Sequence, residues 1–299
     1  MFDKVPFLAV GILAACTTSA TPPLPDPAAA QHAWAQSCED FDEWDKPGPP
    51  YRIYGETYYV GTCGISAILV ADPKGHTLID TGTDKGAQIV LKNIRQLGFE
   101  PEDVTTILMS HEHFDHIGGI ARMQAATGAA IVTTNAASQV LSSGVPGDGD
   151  PQAGSGHPPF PPVTVPIDII DPEMAETSKA WRFTPIFTPG HTPGALSWRW
   201  QECEGGDCKW IVYADSMNPI SSDDYRFSDH PAYLAAFRQG IADLAASECD
   251  IVLAPHPGSA KLRDRLLGTA GLVDANGCRA YAENVTARLD KRLAEEAAK

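Results

Sequence analysis

Four side chains able to bind a divalent metal stand within six positions of this sequence. They are His111, His113, Asp115 and His116, in the run SHEHFDHIGG from Ser110 to Gly119. Imidazole nitrogen and carboxylate oxygen suit zinc, and a close pair of zincs needs more ligands than one loop supplies. Two later segments can complete the set. TPGHTPG (188–194) and LAPHPG (253–258) each place a lone histidine, His191 and His256, among Pro and Gly directly after an apolar run. Surface histidines on loops would account for a single His-x-His. They account poorly for a full H-x-H-x-D-H run with two more histidines at strand ends. Zinc lowers the pKa of bound water from about 15.7 to about 7 and polarises a carbonyl, so the chemistry implied is hydrolysis of an acyl or related bond. No competing nucleophile is visible: the sequence has no G-x-S-x-G, P-loop or dinucleotide glycine motif.

The ligands need strand ends to stand on, and the pattern supplies them. Residues 105–109 (TTILM) read as a buried strand leading into the histidine run. Residues 52–54, 57–60, 66–70 and 77–80 are β-rich and separated by turn residues. A helix follows over 85–97 with Gly98 as its stop, then a short helix at 120–126, a strand at 130–133 and a helix at 136–141. Strands resume at 181–187, 196–200, 209–213 and 250–253. Residues 231–246 and 279–298 have helical apolar spacing. Strands in both halves with flanking helices predict two sheets between helical layers. Residues 142–166 are rich in Gly and Pro, and a stretch of that length reads as a flap beside the metals, with His157 in solvent.

The chain has 299 residues, enough for one large α/β domain or two small ones. Its formal charge is −16, which repels phosphate backbones and argues against nucleic acid as a partner. Residues 1–20 read as an export signal with an apolar run too short to span a bilayer. LAAC (13–16) resembles a lipobox, so Cys16 is a candidate lipid anchor to the outer membrane; ordinary cleavage after Ala20 would instead release a soluble periplasmic protein. Residues 21–33 read as a flexible Pro/Ala-rich tether, and 34–299 as a single hydrolase domain. Without Cys16, six cysteines remain, and an even set in an oxidising compartment implies disulfides. Cys203 and Cys208 flank a turn-like EGGD and suit a hairpin bridge; Cys38–Cys63 and Cys249–Cys278 are the most local remainder.

The H-x-H-x-D-H run with His191 and His256 behind it resembles the metallo-β-lactamase superfamily. It is most similar to the all-histidine, two-zinc third subclass of class B and its AIM-type members. YYVGTCGISAILV (58–70), SHEHFDHIGG, TPGHTPG, YADS (213–216), LAPHPG and KRLAEEAA (291–298) carry the likeness. The resemblance implies an α/β fold, a four-layer αββα sandwich, and two Zn per chain. One zinc would be held by His111, His113 and His191, the other by Asp115, His116 and His256. It implies hydrolysis of β-lactam antibiotics by a zinc-bound hydroxide, a monomer, and catalytic roles for Asp115, His116 and Ser216. Ser216, Asn218 and Gln139 would bind substrate, whether penicillin, cephalosporin or carbapenem. Asp80 would stand beneath the metals, or be only a turn residue before Gly82. Asp215 and Ser216 are neighbours and point to opposite faces of an extended segment. Ser216 toward the metals fits a β-lactamase; Asp215 would fit a lactonase or glyoxalase-type hydrolase. A metal-dependent binding lipoprotein without hydrolytic activity is the non-enzymatic alternative.

Overall fold

The computed structural model describes residues 1, 26–177, 182–268 and 271–298. The export signal and Cys16 lie outside the described residues, Met1 excepted. One sheet is ordered β1 (Tyr51–Tyr54), β2 (Thr57–Tyr59), β3 (Ile68–Val70), β4 (His76–Ile79), β5 (Val104–Leu108), β6 (Ala130–Thr133) and β7 (Ile167–Ile169). Its first four strands are antiparallel, and β4 to β7 run parallel. The second sheet holds β8 (Thr184–Phe187), β9 (Leu196–Glu204), β10 (Asp207–Tyr213) and β11 (Ile251–Leu253). There β8, β9 and β10 alternate in direction while β11 lies parallel to β10.

The helices are α1 (Pro27–Ser37), α2 (Asp84–Gln96), α3 (Phe114–Ile117), α4 (Ile120–Thr127), α5 (Asn135–Ser143), α6 (Pro172–Thr177), α7 (Pro231–Ala246), α8 (Leu262–Leu267) and α9 (Gly277–Ala297). Three apolar clusters define four layers. Between the sheets, Ile68, Ile79 and Leu108 meet Leu196, Trp198, Trp200 and Ile211. Outside the first sheet, Leu69, Leu78 and Ile107 pack on Val90 and Ile94 of α2 and Met123 of α4. Outside the second, Val212 and Val252 pack on Phe237 and Leu244 of α7 and Val285 and Leu289 of α9. Alternate strand residues thus face different layers, as the period of two requires. The αββα sandwich expected from the sequence is the observed fold. The structure joins Cys38 to Cys63, Cys203 to Cys208 and Cys249 to Cys278.

Of the tether expected over 21–33, residues 21–25 lie outside the described residues, and the remainder is helical from Pro27. Asp26 accepts the N–H of Ala28, Pro27 opens the helix, and an Ala-rich run continues it. Trp34 then inserts fully buried among Tyr51 and Tyr59, so α1 packs on the core. The segment after α5 forms a coil to Pro166, but it is pinned rather than loose. Phe160 and Val163 are buried, and Val163 N–H donates to Leu141 O at 2.8 Å. Trp34→Ala should cost about 3–5 kcal/mol of unfolding free energy in a denaturant titration, the usual price of deleting a buried aromatic; a loss under about 1 kcal/mol would mean that α1 is not part of the core.

Candidate metal centre

Each predicted ligand stands just past the carboxyl end of a strand, the edge where α/β sheets build sites. His111 and His113 follow β5, and α3 carries Asp115 and His116. His191 lies on the loop after β8, Ser216 follows β10, and His256 follows β11. The loop of His191 needs a glycine: a Cβ on Gly190 would fall 2.3 Å from the ring of Phe237 on α7. Glu112, buried between two ligands, ties the two loops together. Its carboxylate accepts the Thr192 hydroxyl at 2.6 Å and the Gly194 N–H at 2.8 Å.

Two ligand sets result. In the first, the metal-binding atoms of His111, His113 and His191 all lie within 4.8 Å of one another. Their rings cross at 80° to 85°. In the second, Asp115 Oδ2 is 3.0 Å from His116 Nε2 and 3.4 Å from His256 Nε2, and those nitrogens are 3.2 Å apart. Tetrahedral ligands about 2.0–2.1 Å from zinc stand roughly 3.3–3.4 Å from each other, so this triangle fits such an ion. The residues behind the ligands decide which nitrogens face inward. His111 Nδ1 meets Asp215 Oδ1 at 2.8 Å, His113 Nε2 meets Asp150 Oδ2 at 2.9 Å, and His191 Nδ1 donates to Asn218 O at 2.8 Å. The opposite nitrogen of each ring is left for a cation. His111 Nε2 is buried without a hydrogen-bond partner, an orphan that a metal would satisfy.

The electrostatics agree. Burial, reinforced by His116, His191 and His113, holds His111 well below the usual imidazole range, and burial with His113 does the same to His191. Both therefore stay neutral and keep a lone pair. Burial opposes ionisation of Asp115, yet His116 and the bonds from His116 and His256 outweigh it and hold the carboxyl well below its ordinary value. Burial also lowers His116, but Asp115 outweighs it, with Asp80 adding to the upward shift. Asp215 is pushed up to about 8 by burial, against N–H bonds from Met217 and Ser216. Its Oδ1 lies 2.8 Å from Nδ1 of the His111 ring. A cation on the far side of that ring favours its ionised form.

Asp80 is the hub beneath the ligands. At φ 60 it accepts Ser110 N–H, Ser110 Oγ and Tyr213 Oη, each at 2.7 Å, and its Oδ2 lies 3.9 Å from His116 Nδ1. It joins both sheets and is more than a turn residue. The Asp215–Ser216 alternation is also placed. Asp215 turns inward to His111, while Ser216 lines the cleft with its Oγ free of any hydrogen bond. Tyr281 of α9 fixes that turn through the carbonyls of Asp215 and Ser216. The cleft has a volume of about 160 Å³, and Asn218 lines it.

Gln139 is not among the residues that line this cleft. It stands exposed on α5, which turns Ala137, Val140 and Leu141 to the core instead. His157, expected in solvent, is half-buried in the wall, with its ring 4.7 Å from that of His113 and 5.6 Å from that of Phe114. Asp150, Gln152, Trp44 and Glu112 escaped the sequence reading. Glu112 at least sat inside the motif, whereas Asp150 lies 37 positions from His113 in a segment without periodicity. Phe41, Asp80, Met217 and Lys261 are the non-glycine residues with left-handed backbone among the described residues. Phe41 and Lys261 line the cavity beside this centre, Asp80 lies beneath its ligands and Met217 donates its N–H to Asp215; such strain, about 1–3 kcal/mol each, gathers at functional sites.

The metallo-β-lactamase superfamily profile matches residues 60–204. The structure of the metallo-β-lactamase MIM-1 from Novosphingobium pentaromativorans superposes with a TM-score of 0.83 at 48% identity, covering 89% of this chain and 98% of that one. This chain belongs to the metallo-β-lactamase family. MEM-A1, a subclass B3 metallo-β-lactamase from a soil metagenome library, is 42% identical with a TM-score of 0.78, over 86% of this chain and 99% of its own. A hydroxyacylglutathione hydrolase of Albidiferax ferrireducens is 43% identical over 63 residues, but the match spans only 21% of this chain and 22% of that protein.

Protons compete with metal for these ligands, so uptake should release protons and weaken as pH falls below about 8, where Asp215 takes up its proton. Calorimetry of metal binding between pH 6 and 8.5 checks this, and Asp215→Asn should remove one released proton. Uptake independent of pH would contradict it. Gln139→Ala should leave turnover within about twofold, as for a surface residue.

Proposed function

We propose that this enzyme hydrolyses the lactam amide of β-lactam antibiotics, penicillins, cephalosporins and carbapenems among them, with two zincs per chain. The observation that carries the reading is the pair of ligand sets sharing one cleft, with Ser216 facing it and Asp215 withdrawn behind His111. The likeness to MIM-1 and MEM-A1 over most of the chain supports it. His111, His113 and His191 would hold one ion, and Asp115, His116 and His256 the other. When bound, zinc supplies a Lewis acid that ionises water near neutral pH and polarises the lactam carbonyl.

The chain's own groups do the rest. Asp215, Asp150 and the Asn218 carbonyl fix three rings so that no reorganisation is needed during reaction. Asp115, held ionised at the junction of the two sets, would accept a hydrogen bond from the attacking water and so orient it. Ser216 Oγ, free of internal bonds, donates to the substrate carboxylate, and Asn218 borders the same position. A lactonase or glyoxalase-type reaction is the alternative that the hydroxyacylglutathione hydrolase match raises. That reading looks to Asp215 as a metal ligand, and its Oδ1 is instead engaged by His111. Three disulfide pairs support a periplasmic site of action, either soluble or held to the outer membrane through Cys16, and we take the working unit to be a monomer.

Metal-loaded protein should hydrolyse a carbapenem, lose that activity to a chelator and regain it with zinc. His256→Ala should lower the rate on the order of thousandfold or more. No carbapenem turnover by the loaded protein, or wild-type turnover by His256→Ala, would overturn the scheme.

A further inference from the structure

The metal cleft opens sideways into a larger chamber of about 430 Å³, and Trp44, Asn218, His256 and Ser259 line both. Its outer walls carry two cations, Lys261 and Arg288. In a chain of net charge −16 the other guanidinium groups nearby are committed. Arg292, one turn further along α9, bonds Glu296 and Ser221. Arg288 makes no ion pair or hydrogen bond among the described residues, and its Nε is buried without a partner. Lys261 Nζ is likewise unpaired among them, and its backbone is held at φ 50, left-handed for a residue with a side chain. Phe41, at φ 56, lines the same chamber and packs on Gly258, where an added Cβ would come 3.2 Å from the Phe41 ring. Two strained residues and two unpaired cations around one cavity describe a place prepared for an anion bearing apolar surface.

We propose that this outer chamber is a second recognition subsite, which takes an anionic side-chain substituent of the substrate onto Lys261 and Arg288, against Trp44 and Phe41. The ring carboxylate common to β-lactams is left to Ser216; the chamber selects for a second carboxylate borne on the side chain. The inference rests on the β-lactam reading above and adds a substrate preference to it.

The test uses benzylpenicillin and carbenicillin, which differ by one side-chain carboxylate. Values of kcat and KM are measured for the metal-loaded full chain, Lys261→Gln, Arg288→Gln and the double variant. The ratio of kcat/KM for carbenicillin over benzylpenicillin should fall about tenfold in the double variant, mostly through KM. Added salt should erode the wild-type ratio and leave that of the double variant flat. Circular dichroism and metal content establish folding; if Arg288→Gln misfolds, Lys261→Gln alone, at an exposed position, should lower the ratio about threefold. A ratio within about twofold of wild type in every folded variant overturns the subsite. No turnover of benzylpenicillin by the wild-type chain overturns the β-lactam reading itself, so the two failures are distinct.

Discussion

An imidazole can give a lone pair to a cation only from the nitrogen that does not hold the proton, and everything at this centre follows from meeting that condition several times in a small space. Asp215, Asp150 and the carbonyl of Asn218 meet it for His111, His113 and His191. Burial and mutual repulsion then keep His111 and His191 neutral without further help. The rings meet close to perpendicular because each is held from a different side. Chemistry at the ligands is therefore set by residues that touch no metal.

The sandwich exists to hold those residues still. Strands of two sheets end at one edge, so groups from β4, β5, β8, β10 and β11 arrive from both sides of the central core. Asp80 couples the sheets directly, since one carboxylate receives Ser110 from β5's end and Tyr213 from β10. Helix α9 adds a third restraint through Tyr281 on the Asp215–Ser216 carbonyls. The local backbone strain at Asp80 and Met217 persists because these contacts over-determine it.

Much of this was legible in the sequence. The ligand run, the two Pro/Gly-flanked histidines and the alternation of strand and helix patterns are local signals, and the fold they imply is the one observed. Helix α7 was readable to its ends because four apolar residues recur at helical spacing. What escaped reading depends on contacts between distant segments. The Ala-rich stretch at 27–33 looked like a tether because its anchor, Trp34, reveals itself only once Tyr51 and Tyr59 surround it. Asp150 and His157 lie in a Gly/Pro-rich coil whose value comes from where both ends are fastened. Gln139 was placed at the cleft by resemblance alone, and the rotation of α5 turns it outward.

The coil between α5 and β7 has a double employment. It sends Asp150 beneath His113 while Gln152 and His157 from the same stretch shape the wall that a substrate meets. Selectivity and cation retention are thus inherited together. Reshaping that wall would therefore also disturb the carboxylate that orients His113, and with it the grip on a cation.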